Sequence, residues 1–303
     1  MDRQLIWNKL KGVTTILRLV PLVAWTGGAF VVGTGLARQA SGAEAAPSLL
    51  AVAALIAFLV HALFAHGLND LHDWESGTDR AAAEVLSGGS DVLREGYLRP
   101  AELRTVAWSG FGLAVGLALL NPQEIRLLPH LAVGLWGSYA YSCPPWRLSY
   151  VPLAGEWIAA LPTNLACGLA FYQLHGVEPP PLALAGILLH GILSLGWLMQ
   201  HHLPDWRRDL EALPPKRTTV ALVAARFGDQ AARLVPTAYY LLASGLALWC
   251  VRLDRRFVIS VATALLCAGL ALWQDPNDSW RVARRELQMM GLTFLHAWLI
   301  AWL

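Results

Sequence analysis

Nine runs of mainly apolar residues constrain this chain more than any other feature of its sequence. They lie near 13–35, 48–68, 104–120, 127–143, 152–173, 181–203, 233–251, 257–273 and 288–303. A helix needs roughly 20 apolar residues to cross a bilayer. Only 15% of the 303 residues are charged, against about 25% in a typical soluble domain. The sequence therefore predicts an all-α membrane protein, with about nine transmembrane helices in one bundle around a central cavity. Because the loops are short, we expect a single domain, 1–303.

Lys and Arg residues are unevenly distributed among the predicted loops. If the N-terminus is cytoplasmic and the nine helices alternate in direction, most of these residues fall on the cytoplasmic side, which is the usual bias. The N-terminal stretch "MDRQLIWNKLKG" is basic and amphipathic and lacks a small-residue cleavage site, so we do not predict a removable signal peptide. We expect an integral protein of the bacterial inner membrane, with the loops 69–103 and 204–232 facing the cytoplasm.

Two acidic clusters follow apolar runs, four predicted helices apart. The second run ends in "HGLNDLHDWESGTDR" and the sixth in "HHLPDWRRD". Asn69, Asp70 and Asp73 are three or four residues apart and are expected to share a helix face, as are Asp205 and Asp209. Either cluster alone could be a solvated helix end. An ionised carboxylate near the bilayer centre costs about 2.5–3.5 kcal/mol on insertion scales, so such acids are functional candidates that need a cation.

The oxygen-rich donor set indicates which cation the two clusters would hold. Carboxylate and amide oxygens without an accompanying cysteine suit a hard ion, and Mg²⁺ above all. Because Mg²⁺ takes only one or two carboxylates and fills its shell with water and phosphate oxygens, facing clusters could hold Mg²⁺ around a diphosphate. Nearby Arg80, Lys216 and Arg217 would complete the anion site. The apolar helices would then hold the hydrocarbon chain that the diphosphate carries.

Three motifs in this sequence resemble those of the UbiA-type intramembrane prenyltransferases. The segment "NDLHDWESGTD" resembles the first aspartate motif, NDxxDxxxD or NDxxDxxxGxD. The segment "LPDWRRDLEALPPKRTTVALVAARFG" is similar to the second motif, DxxxD followed by a K-R-T run. Between them, "YSCPPWRLSYVPLAGE" resembles the YSxPPxRLK…GE loop. The resemblance covers residues from about 13 to 230, and about nine helices match the family fold.

The resemblance implies Mg²⁺-dependent transfer of a prenyl group from a prenyl diphosphate to an acceptor, usually an aromatic ring, within the bilayer. It makes Asp70, Asp73, Asp205 and Asp209 the catalytic carboxylates. The implied metal ligands are Asn69, Asp70, Asp73, Asp79, Asp205 and Asp209. The implied diphosphate contacts are Asn69, Arg80, Arg147, Lys216 and Arg217. The implied partners are the prenyl diphosphate, an aromatic co-substrate and the lipid bilayer, with no nucleic acid and no obligate protein partner.

Ionisation of an allylic diphosphate leaves a carbocation, which aromatic rings can stabilise by about 0.5–2 kcal/mol each. Phe64, Tyr139, Tyr141 and Trp197 lie within a few helical turns of the motifs and are candidates for this role. For each of them, ordinary core packing is the alternative. The base that takes the acceptor's proton is not identified by the sequence.

Three positions depart from the family pattern. Gly77 replaces an acid and Asp79 follows, which looks like the naphthoate branch of menaquinone-type enzymes, as does "SGGSDVLREGYLRPAEL". His202 stands where Asn or Asp is common, and Mg²⁺ disfavours nitrogen ligands. Ser149 stands where Lys is frequent. These departures leave the acceptor open, and the alternatives are a membrane terpene cyclase without an aromatic acceptor and, more remotely, a transporter.

Overall fold

The computed structural model describes residues 3–42, 44–80, 89–121 and 126–302. Helices make up 79% of the chain, and the described residues contain no β-strand. The all-α prediction is confirmed. Ser87 and Gly88, which belong to the "SGGSDVLREG" stretch of the resemblance, lie outside the described residues.

The N-terminal half consists of helices interrupted by short π-helical stretches. These elements are α1 (Arg3–Ile16), α2 (Leu19–Leu22), a π-helix (Val23–Gly27), α3 (Gly28–Ser41), α4 (Pro47–Phe58), a π-helix (Leu59–Ala65), α5 (His66–Ser76), α6 (Pro100–Leu120) and α7 (Leu128–Ser142).

The C-terminal half begins with two short turns of helix and ends in a long helix. These elements are a 3₁₀-helix (Leu148–Tyr150), a π-helix (Gly155–Ala160), α8 (Leu161–Gln173), α9 (Pro181–His201), α10 (Trp206–Glu211), α11 (Thr219–Phe227), α12 (Asp229–Ala232), α13 (Leu234–Cys250), a 3₁₀-helix (Arg255–Phe257), α14 (Val258–Leu272) and α15 (Ser279–Trp302).

Each predicted apolar run overlaps a helix in the described ranges. Six stretches of the described chain are long and apolar enough to cross a membrane, namely Trp7–Ser41, Pro47–Ser76, Pro100–Leu120, Pro181–His201, Asp229–Cys250 and Arg255–Leu272. The count of nine spans and the side of the membrane that the loops face therefore stay predictions.

Proline and glycine set several helix boundaries. Helices α4, α6 and α9 begin at Pro47, Pro100 and Pro181, a position where proline's missing N–H costs no hydrogen bond. Helix α5 ends where Gly77 adopts φ 96°, and the Gly77 N–H donates to the carbonyl of Asp73. A left-handed residue after a helix favours glycine. The glycine at this position in the first motif therefore turns the chain out of the helix immediately after the acidic cluster.

Close helix packing relies on small residues, as expected inside a membrane. Gly33 on α3 faces Gly168 on α8, and a β-carbon on Gly33 would collide with the Gly168 carbonyl oxygen. Gly196 on α9 lies against the buried ring of Tyr240 on α13. The two glycine contacts bring α3 close to α8 and α9 close to α13. All four cysteines are free of disulfides.

Candidate functional site

The helices surround a cavity with a volume of about 1750 Å³, which includes the part open to solvent. Each π-helical stretch contributes to its wall: Trp25 and Thr26 from the first, Val60 from the second, and Ala159 from the third. Such widened helical turns are frequent at functional sites. At one end the wall is polar, and its residues include Asn69, Asp73, Asp79, Asp205 and Lys216.

Asp73 lies at the centre of the polar end. Lys216 Nζ is 2.6 Å from Asp73 Oδ2, and the side chains of both residues are only 5% exposed. Asn69 Nδ2 donates to the same oxygen at 2.9 Å, and the Tyr150 hydroxyl donates to Asp73 Oδ1 at 3.0 Å. The three segments that the motifs predicted to act together thus meet at a single carboxylate.

Backbone and side-chain hydrogen bonds fix these three segments to one another. The Leu213 N–H donates to the Ser76 carbonyl at 2.8 Å, and the Arg217 N–H donates to the Tyr150 carbonyl at 3.2 Å. The Thr219 hydroxyl also donates to the buried Glu156 carboxylate. The positions of the acids therefore depend on loops that are far apart in the sequence.

Asp70 occupies a different position from the other acids of its cluster. Its Oδ2 accepts hydrogen bonds from the Ser90 N–H at 3.2 Å and from the Ser90 hydroxyl, and Arg18 Nη1 lies 3.9 Å from its Oδ1. Asn69 and Asp73 line the main cavity, whereas Asp70 lines a small pocket behind Ser90. Of the three residues predicted to share a helix face, Asn69 and Asp73 thus face the cavity, whereas Asp70, about 100° around the helix from Asn69, faces Ser90.

Gly89 brings the chain closely against this first cluster. It adopts φ 79°, and a β-carbon at this position would lie 3.2 Å from Asp70 Oδ1 and would collide with Asp79 Oδ2. Glycine alone combines a left-handed backbone with such a close approach. The sequence pointed to this stretch only through its resemblance to a family branch. The geometry shows that Gly89 and Ser90 shape the acidic pocket directly.

The second cluster is buried and poorly neutralised. Asp205 lines the cavity and pairs with Arg208. Asp209 is 1% exposed, and neither of its carboxylate oxygens has a hydrogen-bond partner in the described part of the chain. Burial raises the pKa of Asp209 well above its ordinary value, against the opposing effect of Lys216.

The pKa values of Asp79 and Lys216 are also shifted by this environment. Burial raises the pKa of Asp79 well above its ordinary value, and the neighbouring Asp73 and Asp70 carboxylates add to that shift. Burial alone would lower the pKa of Lys216, but Asp73 and Asp209 outweigh it and raise that pKa well above the ordinary value. Lys216 is therefore held charged by the acids around it.

The residues at this end fit Mg²⁺ held jointly with an anion. Asp209 offers two unsatisfied buried oxygens and Asp70 offers one, and a bound cation would satisfy them. Among the described residues, no three His, Cys, Asp or Glu side chains form a complete metal cage. This arrangement suits Mg²⁺, which takes few protein carboxylates and completes its shell with water and phosphate oxygens.

The aromatic candidates divide into two pairs. Tyr141 and Trp197 line the cavity. Phe64 is buried in a cluster with Leu68 and Cys143, and the Tyr139 hydroxyl donates to the Pro144 carbonyl. The structure thus brings Tyr141 and Trp197 to the cavity, whereas Phe64 and Tyr139 lie outside its wall.

The predicted diphosphate arginines lie away from the cavity wall. Arg80 donates from Nε to the Trp74 carbonyl at 3.0 Å, at the end of α5. The Arg147 guanidinium lies 5.5 Å from the centre of the Tyr150 ring, and Arg217 is exposed. Lys216 is the member of the predicted cationic set that reaches the cavity in the described structure. The roles of the three arginines stay predictions.

Arg18 lines the cavity but belongs to none of the three motifs in the sequence. It separates α1 from α2 with φ 43°, and its half-buried guanidinium lines the cavity. An arginine within the first apolar run was the available signal, because intramembrane charges are functional candidates by default. His202 also lines the cavity, with Nε2 3.4 Å from the Tyr141 hydroxyl.

Comparisons with known proteins agree with this geometry. The sequence model of the UbiA prenyltransferase family matches residues 28–300. A curated relative, 2-carboxy-1,4-naphthoquinone phytyltransferase of Arabidopsis thaliana, is 28% identical over 64% of this chain and 47% of its own length. The chain thus spans about half the length of that relative.

Solved structures share the fold at low sequence identity. A UbiA homologue from Archaeoglobus fulgidus, bound to GPP and Mg²⁺, superposes with a TM-score of 0.65 at 16% identity, covering 95% of this chain and 99% of that chain. An apo UbiA homologue from Aeropyrum pernix K1 has a TM-score of 0.57 at 16% identity, covering 95% of each chain. The apolar helices and the family make this an integral membrane protein. The chain belongs to the UbiA prenyltransferase family.

Proposed function

We propose that this protein transfers a prenyl group from a prenyl diphosphate to an aromatic acceptor within the bilayer, in a Mg²⁺-dependent reaction. The observation that carries the proposal is the meeting of Asp73, Asp205 and Lys216 at the polar end of a mainly apolar cavity. Such a cavity suits a ligand with a strongly anionic head and a hydrocarbon chain. The Archaeoglobus fulgidus homologue binds such a molecule together with Mg²⁺.

The acids divide into those at the cavity and those behind it. Asn69, Asp73, Asp79 and Asp205 line the cavity and would hold Mg²⁺. Asp70 and Asp209 are buried beside them, and their unsatisfied oxygens would complete the acidic set around the ion. When bound, Mg²⁺ would neutralise the charge that develops on the departing diphosphate.

The remaining side chains bind the diphosphate and protect the reactive cation. Lys216 would donate to diphosphate oxygens, since it already lies among the acids. Once the C–O bond ionises, the apolar wall keeps water from the allylic cation. The rings of Tyr141 and Trp197 face this space and stabilise the cation.

Two observations favour a naphthoate- or benzoate-type acceptor. The curated relative acts, by its name, on a carboxylated naphthoquinone. The first motif, with Gly77 and Asp79, also resembles the naphthoate branch. Quinone biosynthesis is the process that such a transfer would serve.

We also propose that residues 1–303 form one domain in the bacterial inner membrane, with the N-terminus and the three motif loops on the cytoplasmic side. The distribution of Lys and Arg supports this orientation. The contacts among Ser76, Tyr150, Leu213 and Arg217 support placing the motif loops on the same side.

The test is to identify products by mass. Purified protein is incubated with Mg²⁺ and geranyl, farnesyl or geranylgeranyl diphosphate, with and without naphthoate, benzoate and homogentisate acceptors. We expect a prenylated acceptor only when donor, acceptor and Mg²⁺ are all present. A hydrocarbon or alcohol formed equally well without acceptor would instead establish a terpene cyclase. Binding of donor without any chemical product would favour a transporter.

A further inference from the structure

A buried carboxylate and an imidazole form a pair beside the cavity. Glu286 on α15 is 1% exposed, and its Oε1 lies 2.9 Å from His201 Nδ1. His201 lines the cavity, and Glu286 lies behind it. The second oxygen of Glu286 has no hydrogen-bond partner within the described chain. No motif in the sequence indicated Glu286, and neither His201 nor Glu286 has a role in the proposed function as stated above.

The neighbours of His201 fix which of its ring nitrogens carries the proton. The carboxylate of Glu286 can only accept, so Nδ1 donates to it. Arg18 Nη2 lies 3.2 Å from Nε2 and can only donate, so Nε2 presents its lone pair. A histidine whose Nδ1–H is held by a buried carboxylate and whose Nε2 is an acceptor is oriented as a general base. When a substrate hydroxyl replaces Arg18 at Nε2 of His201, Arg18 still has Asp70 as a partner.

The wall next to His201 differs from the rest of the cavity. Trp197 precedes His201 by one helical turn and shares its face. The rings of Trp197 and Trp25 are 5.4 Å apart and nearly perpendicular. Thr26 Oγ1 lies 2.6 Å from His61 Nδ1 on the same side of the cavity. This aromatic and polar wall suits a flat hydroxylated ring.

The part of the wall formed by α4, α7 and α8 has a different composition. It contains several small residues, including Ala57, Gly134, Ala166 and Ala170. An aliphatic surface of this kind suits a prenyl chain. The two substrates would therefore lie on different walls, with the aromatic ring next to His201.

We propose that His201, positioned by Glu286, accepts the hydroxyl proton of the aromatic acceptor. This inference rests on the proposed function. A ring carbon forms its bond to C1 of the prenyl cation, the O–H bond breaks, and its electron pair becomes a ring C=O. The proton moves to His201 Nε2. The attacked carbon then releases its own proton, or its carboxyl group as CO₂, and the oxygen is reprotonated. The negative charge of Glu286 stabilises the imidazolium formed in the first step.

The experiment compares His201→Gln and Glu286→Gln with the parent, using geranylgeranyl diphosphate and Mg²⁺. The acceptors are 1,4-dihydroxy-2-naphthoate and its 6,7-difluoro analogue, whose hydroxyl is more acidic. His201→Gln should lower product formation about 10²–10³-fold, as expected for loss of a general base. Glu286→Gln can still accept the hydrogen bond but carries no negative charge, so it should lower kcat by a smaller factor than His201→Gln does. Both losses should be smaller with the fluorinated acceptor, because its hydroxyl proton leaves more readily without a base, and the donor KM should not change.

His296→Gln is the matched control, because His296 is also buried on α15 and bonds Ser260 rather than a carboxylate. Its losses should be equal with the two acceptors. A donor-induced rise in melting temperature shows that each variant is folded. If His201→Gln lacks that rise, the test of the proposed base rests on Glu286→Gln. An active parent with variants within about threefold of it, or with equal losses for both acceptors, overturns this inference alone. A parent that makes no prenylated acceptor overturns the proposed function as well.

Discussion

Replacing Lys216 by Met should make the stability of the protein depend on Mg²⁺. Lys216 Nζ lies 2.6 Å from Asp73 Oδ2, and both side chains are 5% exposed. Breaking a buried ion pair by removing one partner costs about 3–5 kcal/mol, because the other charge is left uncompensated. Asp79 and Asp209 are buried nearby, so we expect the cost to lie in the upper half of that range.

Added Mg²⁺ should restore much of this loss, because it supplies the missing positive charge. Binding at about 100 times the dissociation constant stabilises a folded protein by about 2.7 kcal/mol. The assay is unfolding in detergent with and without Mg²⁺, for the parent, Lys216→Met and the double variant Lys216→Met/Asp73→Asn. The double variant should be more stable than Lys216→Met, because the Asp73 charge that Lys216 neutralises is also removed.

Lys9→Met is the matched control for this experiment. Lys9 Nζ is also 2.6 Å from a carboxylate, that of Glu102, but the two side chains are 32% and 28% exposed. An exposed pair contributes about 0–1 kcal/mol, so this variant should be nearly as stable as the parent and should not gain extra stability from Mg²⁺. If Lys216→Met behaves like Lys9→Met, the acids around Lys216 do not form a buried site that needs a cation.

Three further predictions concern the acidic pocket. Gly89→Ala should abolish donor-dependent stabilisation, because its β-carbon would collide with Asp79. The control Gly96→Ala, with φ 67° but open space around it, should cost only about 1–2 kcal/mol. Normal donor binding by Gly89→Ala would count against the predicted pocket. Ser90→Ala removes the hydroxyl that donates to Asp70 and should cost about 1.5–3 kcal/mol in chemical unfolding; a loss below about 0.5 kcal/mol would mean that this bond is not formed in solution. Burial raises the pKa of Asp209 in the folded protein, so the folded state holds the proton more tightly than the unfolded state. The parent without Mg²⁺ should therefore lose stability as pH rises above about 4. Asp209→Asn should flatten this dependence of stability on pH, and an unchanged slope in that variant would contradict the assignment to Asp209.

The sequence predicted the helices and the meeting of the motifs because both follow from local pattern. Apolar runs of sufficient length can only be helical in a membrane, and Pro47, Pro100 and Pro181 begin helices as their chemistry favours. Asp73 and Lys216 could be placed together because each lies in a motif with a recognisable order. The number of spans is less local, since several helices are short and the crossing threshold depends on how they tilt.

The rest depended on tertiary packing, which periodicity alone does not contain. Asp70 lies one residue from Asn69, yet helix rotation and Ser90 turn it into a separate pocket. Phe64 and Tyr141 looked equivalent in the sequence, and only helix packing separates a core ring from a cavity ring. Glu286 could not be selected, because its partner His201 is 85 residues away and no motif joins the two.

A single-turnover assay with saturating prenyl diphosphate, naphthoate acceptor and Mg²⁺ shows whether the two acidic clusters are needed for prenyl transfer. The parent is compared with Asp73→Asn, Asp205→Asn and the surface control Asp229→Asn, whose residue pairs with Arg207. We expect the first two variants to remain folded and to lose at least about 10²-fold in the rate of prenylated product formation, whereas Asp229→Asn should match the parent. Near-parental rates in both Asp73→Asn and Asp205→Asn would contradict the proposed role of the two clusters.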